Sequence, residues 1–521
     1  MIDTKALREK VLDLAIRGKL VPQDPSDEPA SVLLKKIREQ KKQMVKEGKL
    51  KAKDIKNDTI IFKGDDNLHY EQFADGTVKC IENEIPFEVP EGWQWVRLGT
   101  IYEHNTGKAL NSSNTEGVML AYITTSNLYW DRFELDSIKE MPFTSAEIEK
   151  CTVKKGDLLV CEGGDIGRSA IWYCDNEVRI QNHIHRLRSY ISLSNRFYYY
   201  VLYLWKIQKR IGGQGIGLQG LSSKVLHKIL VPLPTINEQQ NIVDKLDHIF
   251  DCISDLDIQK DDFLSLVNLV KSKTLDLAIQ GKLVPQDPND EPASVLLDRI
   301  RAEKEELIKA GKIKRDKKES VIFKGDDNSY YRLTSDNKRN VIDIPFDIPE
   351  NWEWCNLSMI GSTNIGLTYK PADIVADGTM VLRSSNIING KIDLSDLVRV
   401  NSTIRENQYI QENDILICAR NGSKALVGKC AIFENVNEKA SFGAFMAVYR
   451  SRCFRYVYYF LNSEFFKNTF SNDDSKQINQ LTQDMIKNTA IPLPPLAEQK
   501  RIVKAIETIF AKLDEISNAI V

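Results

Sequence analysis

Apolar residues at Ile242, Leu246, Ile249, Ile253 and Leu256 recur in alternating steps of four and three. The phase runs on through Phe263, Val267, Val270, Thr274 and Leu277, with Lys260 the one charged interruption. That spacing is the seam of a coiled coil, and Gly281 followed by Pro285 supplies a stop. The predicted helix, 237–280, would be roughly 65 Å long at about 1.5 Å per residue. The seam returns at Ile502, Ile506, Ile509, Leu513, Ile516 and Ile520. Elsewhere, short apolar runs bounded by turn residues predict strands at Leu158-Leu-Val-Cys161, Ala170-Ile-Trp-Tyr173, Asp414-Ile-Leu-Ile-Cys418 and Cys430-Ala-Ile-Phe433. Two aromatic-rich stretches, 196–205 and 454–461, carry their rings on neighbouring helical positions and read as core rather than as base-stacking platforms.

The helical pattern belongs to a duplication. Residues 10–34 return almost unchanged as 273–297, differing only at Val11/Thr274, Arg17/Gln280 and Ser26/Asn289. Further landmarks pair up: Ile61-Phe-Lys-Gly-Asp-Asp-Asn67 with Ile322 to Asn328, Trp93-Gln-Trp95 with Trp352-Glu-Trp354, and Val231-Pro-Leu-Pro234 with Ile491-Pro-Leu-Pro494. Glu238-Gln239 and Glu498-Gln499 follow the last pair. Residues 497–521 align with 237–261, and 1–17 with 264–280, where Thr4, Leu7, Val11 and Leu14 hold the heptad phase. The chain therefore reads as a two-unit circle cut open between Val521 and Met1. The termini are expected to meet and jointly rebuild a partner for the central helix.

This organisation divides the chain into a conserved helical repeat at 1–56, a variable segment at 57–235 and a central helix with a basic arm at 236–316. A second variable segment at 317–495 and a C-terminal helix at 496–521 complete it. The expected fold class is α+β, two α+β domains separated by long antiparallel coiled-coil helices in a circular pseudo-twofold repeat. Each second helix has a capping signal at Asp27 or Asp290 ahead of Pro29 or Pro292. Those helices are basic, net +7 over 31–56 and +4 over 294–318. A solvated face and a phosphate- or partner-contacting arm both fit that charge.

Composition narrows the function classes. At 521 residues the chain exceeds one hydrophobic core. The formal net charge of −2 argues against a protein that coats nucleic acid over its whole surface, though not against local basic patches. No apolar run approaches a membrane span. Nine cysteines scattered without CxxC pairs suit reduced thiols in the cytoplasm.

Several apparent motifs fail. Gly215-Ile-Gly217-Leu-Gln-Gly220 fits a dinucleotide fingerprint but follows no strand and has no twin. Cys161, Cys174, His183 and His185 are too loosely spaced for zinc. Glu147-Ile-Glu149-Lys150 echoes a nuclease tripeptide that is too common to count. With no P-loop, no H-E-x-x-H and no Asn-Pro-Pro-aromatic element, no catalytic centre and no metal site are expected in this chain.

The chemistry-bearing positions are polar, Gly-rich loops in matching places. The first segment offers Lys108, Thr125, Asn127, Glu162, Asp165, Arg168, Gln181, Asn182, His183, Gln219 and Lys224. The second offers Lys370, Arg383, Asn386, Arg420, Asn421, Ser423, Lys424, Lys429, Lys476, Gln477 and Gln480. Glycine lets a backbone approach a ligand closely, and these side chains read base edges or hold phosphates. Any one of them fits a plain surface loop; as paired sets they point to DNA contact.

The whole chain resembles the specificity subunit of Type I restriction–modification systems. The resemblance rests on the Trp-x-Trp entries (93–95, 352–354), the Gly-Asp or Asn-Asp strand starts (156–157, 413–414) and the Pro-Leu-Pro…Glu-Gln exits. It implies two target-recognition domains, each reading half of a bipartite double-stranded DNA site. It also implies helices that set the gap and dock two methyltransferase (modification) subunits, to which restriction (translocase/nuclease) subunits add. S-adenosylmethionine, ATP and Mg²⁺ would be needed, but at sites on those partners. The arms at 35–56 and 299–318 have no role in that pattern. A self-sufficient DNA-modifying enzyme and a structural adaptor with two protein-binding domains are the alternative readings.

Overall fold

The computed structural model describes residues 3–56, 58–110, 116–211, 220–313, 315, 320–334, 337–470 and 480–520. It consists of two compact units, 2–259 and 260–521, the division falling inside the 44-residue helix Ile236–Ile279. The long helix thus forms within a residue of its predicted bounds. Met1, Ile2 and Val521, on which the expected meeting of the termini rests, lie outside the described residues.

Each unit pairs a terminal helix with its own half of the long helix. In the first unit Thr4–Ile16 runs antiparallel to it. Arg8 donates to the Phe250 carbonyl and Ser254 Oγ, whereas Gly18 lies against Trp93, whose indole bonds Glu238. In the second unit Leu496–Ile520 does the same: Lys271 pairs with Asp514 over the Phe510 ring, and Gly281 lies against Trp352, which bonds Glu498.

The predicted seam is only partly buried. Ile242, Leu246, Ile253, Val267 and Thr274 are buried, but Leu256, Val270, Leu277 and Leu7 are exposed. Leu12, Ala15 and Ile16, and their twins Leu275, Ala278 and Ile279, take the buried places instead. These last turns pack under a variable segment rather than along a helix seam, sharing one core with Trp93 or Trp352 and the aromatic helix. The capping expectation is also corrected. Asp27 does not cap Ala30–Lys46; it accepts from Thr235 Oγ1 (2.8 Å) and Asn237 Nδ2 (2.6 Å), tying the Pro-rich turn to the start of the long helix. Asp290 pairs with Arg501 in the same way, and the first helical N–H groups bond Gly92 and Asn351 carbonyls.

The arm helix Ala30–Lys46 buries Leu33, Leu34 and Ile37 and turns most of its lysines outward. Lys41 is the exception, buried over Tyr190 and paired with Asp58 at 2.6 Å. Its counterpart Ala293–Lys309 is laced by Arg299–Glu291 and Arg301–Asp298 pairs. After each arm comes a three-stranded antiparallel sheet, Ile60–Lys63, His69–Gln72 and Val78–Cys80 or Ser320–Lys324, Tyr330–Thr334 and Arg339–Ile342. The repeated Gly-Asp-Asp-Asn landmark is its first turn, with Asn67 and Asn328 at positive φ and the second Asp accepting from Tyr70 or Tyr331.

Each variable segment then builds a four-stranded sheet. Tyr102–Thr106 lies beside Ile184–Ser189, Leu158–Cys161 and Ser169–Ile171; the twin uses Gly361–Ile365, Met446–Ser451, Ile415–Cys418 and Cys430–Ile432. A second sheet centres on Val118–Ile123 or Ile374–Leu382, each paired in parallel with Val178–Ile180 or Ala440–Phe442. The aromatic stretches form the helices Asn195–Ile207 and Phe454–Leu461, and residues such as Phe197, Tyr198, Tyr456 and Phe460 are core.

Candidate nucleic-acid interface

The Trp-x-Trp, Pro-Leu-Pro…Glu-Gln and Gly-Asp or Asn-Asp landmarks resolve into buried ties beneath the loops. The strand Leu230–Leu233 pairs with Gln94–Arg97, so Pro-Leu-Pro lies beside Trp-x-Trp. Trp93 Nε1 then donates to Glu238 (2.6 Å), and Gln239 bonds back to the Pro234 carbonyl. Trp352, Glu498, Gln499 and Pro494 repeat this in the second unit. Burial pushes both carboxyls, Glu238 and Glu498, above their ordinary range. The Gly-Asp and Asn-Asp starts have a geometric cause: Gly156 and Asn413 have φ of +92° and +71°, which other L residues rarely adopt. The following Asp, 3% or 0% exposed, receives a two-pronged Arg188 or Arg450 at 2.6–2.7 Å. That arginine lies at the far end of the strand that leaves the recognition tip.

The candidate loops gather at the opposite end of these strands. In the first unit Glu162 N–H donates to the His183 carbonyl, Asn182 N–H to the Lys108 carbonyl and Gln181 N–H to Ile123. Arg168 crosses to Thr125, donating to its carbonyl at 2.6 Å above the Tyr129 ring. His183 is exposed and lies 3.7 Å from Glu162, while Asp165 pairs with Lys206. In the second unit Asn421 Nδ2 reaches Ser384 Oγ, Lys429 reaches the Ser384 carbonyl and Arg383 pairs with Asp396. Arg420 bridges to Gln480, and Ser423 and Lys424 are exposed. Lys224 and Lys370 are exposed on flanking segments, three residues beyond Leu221 and Leu367, whose N–H groups bond the tips. Gln219, Lys476 and Gln477 lie outside the described residues.

Three predicted residues serve the architecture. Lys108, 8% exposed at its side chain, bonds the Pro142 carbonyl and Glu147, and its twin in register is the apolar Leu367. Asn127 and Asn386 are buried. Each accepts from the backbone three residues back and donates to a carbonyl seven residues on, closing its loop. Glu147 belongs to a capping box with Thr144.

Sequence reasoning missed two features. Phe445, 61% exposed, stands at the twin position of His183, and a lone Phe beside a strand carries no distinguishing signal. Beneath the first unit's loops lies a histidine chain: His104 Nε2 to His185 Nδ1 at 2.8 Å, and His185 Nε2 to the Leu221 carbonyl at 2.6 Å, with His227 edge-on to His104. Burial holds all three below the usual histidine range, His104 at about 3. A carbonyl only accepts, so His185 donates from Nε2 and accepts from His104.

Among the described residues, His69, Glu82 and Glu88 form the one group spaced to hold a cation. Glu82 is already engaged by the His69 ring and backbone, and Glu88 by Lys63. In the other sheet Tyr330 takes the register of His69. The zinc set Cys161, Cys174, His183 and His185 does not converge.

The family described as Type I restriction modification DNA specificity domain matches residues 90–262 and again 349–520. The Type I restriction enzyme EcoAI specificity subunit of Escherichia coli is 28% identical, aligned over 96% of this chain and 88% of its own. The EcoEI specificity subunit of Escherichia coli is 26% identical over 99% and 90%. A solved chain from work titled "Structural basis underlying complex assembly and conformational transition of the type I R-M system" shares the fold. Its TM-score is 0.53 at 17% identity, over 84% of this chain and 94% of that one.

Proposed function

Because the chain belongs to the Type I restriction-modification DNA specificity family, we propose that its two recognition domains each read one half of a bipartite, asymmetric duplex site. The protein is a recognition subunit rather than an enzyme, and it works with partner subunits. The observation that carries the reading is the pair of loop sets. They sit on equivalent strand ends, held by identical buried ties, and they present unlike side chains: Glu162, Arg168 and His183 in one, Arg420, Asn421 and Lys424 in the other. Phosphate contacts position a protein on DNA and base contacts specify sequence, so unlike tips on a common frame should read unlike half-sites. The paired helices would hold the two halves at a set spacing and dock two modification subunits, with restriction subunits beyond them. S-adenosylmethionine, ATP and Mg²⁺ then act on those partners. No helix among the described residues is long and apolar enough to cross a membrane, and the cytoplasm is the expected compartment.

The test is to replace residues 57–235 with the corresponding domain of a relative and map methylated sites in cells carrying the full system. One half-site should change and the other stay. A change in both, or in neither, removes the modular reading. Arg420→Ala should relax or abolish the second half-site alone. Arg168→Ala should do so for the first, acting through the Thr125 loop that it ties.

A further inference from the structure

Phe445 is the most exposed phenylalanine among the described residues, at 61%, although the second recognition domain has a well-formed apolar core close by. Its backbone is fixed. The Phe445 carbonyl accepts from both Ala419 N–H (2.9 Å) and Arg420 N–H (3.0 Å), and Met446 N–H closes a tight turn onto Gly443 at 2.8 Å. The ring therefore projects from the tip of the turn between Ala440–Phe442 and Met446–Ser451. The Arg420 guanidinium lies over it, 5.5 Å from its centroid. At the twin position the His183 carbonyl accepts from Glu162, and the histidine side chain is likewise exposed. The same fixed backbone thus carries different exposed rings in the two domains, the pattern of a reading residue rather than a packing one.

The chemistry of the pair narrows its ligand. A bare phenyl ring recognises neither phosphate nor a hydrogen-bonding base edge. In the major groove of DNA the apolar feature is the 5-methyl group of thymine, and arginine forks onto guanine O6 and N7. A wedge inserted between base pairs would need both ring faces, and Arg420 already covers one. Building on the DNA-reading function above, we propose that Phe445 is a specificity-determining residue of the second domain. Its free face contacts the methyl group of a thymine in that half-site, and its other face holds Arg420 on a neighbouring guanine.

The experiment uses the chain in complex with its modification subunits, on duplexes of the mapped site. Each thymine of the second half-site is replaced in turn by deoxyuridine, which keeps every hydrogen bond and lacks only the methyl. One replacement should weaken wild-type binding roughly 4-fold, the worth of one buried methyl group, and leave Phe445→Ala binding unchanged. Phe445→Leu, still apolar, should retain part of the thymine preference, which separates loss of contact from loss of fold. The proposal is overturned if no deoxyuridine duplex differs from its thymine parent. It is also overturned if Phe445→Ala keeps full site affinity, or weakens specific and non-specific DNA alike. A fluorescence rise from 2-aminopurine beside the contacted step would make the ring a wedge and overturn the methyl contact. Loss of thymine sensitivity with the first half-site still required sinks this proposal alone. A wild-type complex without any sequence preference sinks the DNA reading with it.

Discussion

In the first unit Arg188 clamps Asp157 and Trp93 donates to Glu238; in the second Arg450 clamps Asp414 and Trp352 donates to Glu498. Around these twins the units have diverged. All six histidines of the chain lie in the first half, three of them in contact with one another beneath the loops. In strand register Thr363 and Ala447 take the places of His104 and His185. The difference has a physical logic. A buried charge and its partner cannot be altered singly without leaving the other unsatisfied, so such ties are kept as pairs. Exposed tips carry no such penalty and are free to differ.

The strongest way to break the comparison is to remove a clamp. Arg450→Ala leaves the fully buried Asp414 without its counter-charge and should cost roughly 3 kcal/mol, read as a shift in the denaturation midpoint with exchange protection lost in the second unit. Arg188→Ala should cost the first unit a similar amount. A twin that costs nothing would show that the clamps are not equivalent. Acidification should separate the units next. An unfolded histidine takes up its proton below about pH 6.5, whereas half-buried His104 resists until about pH 3. The unfolded state therefore gains protons first, and the first unit loses stability as the pH falls through that window. At pH 5 the loss from His104 alone is about 2 kcal/mol. Hydrogen exchange at pH 7 and pH 5 should show it in the first unit and not in the second, and equal loosening of both would refute this account. The smallest effect is expected at the indoles. Trp93→Phe and Trp352→Phe each remove one hydrogen bond from a buried carboxylate, at about 1–2 kcal/mol, and should lower the unfolding midpoints equally.

Much of this architecture was legible because it is repetitive. The heptad phase and the stop at Gly281 located the long helix to within a residue, and the Pro-Leu-Pro pairs fall on the short strands just before it and its C-terminal counterpart. Burial along that helix was less legible. Leu277 fits the heptad but faces outward, because the turn beside Gly281 packs on a domain and not on a helix. Residue type alone also misplaced chemistry. Lys108, Asn127 and Asn386 carry the groups that read DNA, yet each is consumed by carbonyls and N–H groups of its own loop. Phe445 went unseen for the opposite reason, since apolarity in a strand-like context suggests core, and only the turn at Gly443 exposes it.

The glycines that end the scaffold helices set a tolerance for the whole design. A methyl group on Gly18 would sit 2.4 Å from Pro90 Cγ, and on Gly281 2.5 Å from Pro349 Cγ, so each junction is closed to within one carbon atom. Either junction therefore accepts a hydrogen atom and nothing larger without pushing the Pro-Trp turn off the helix end.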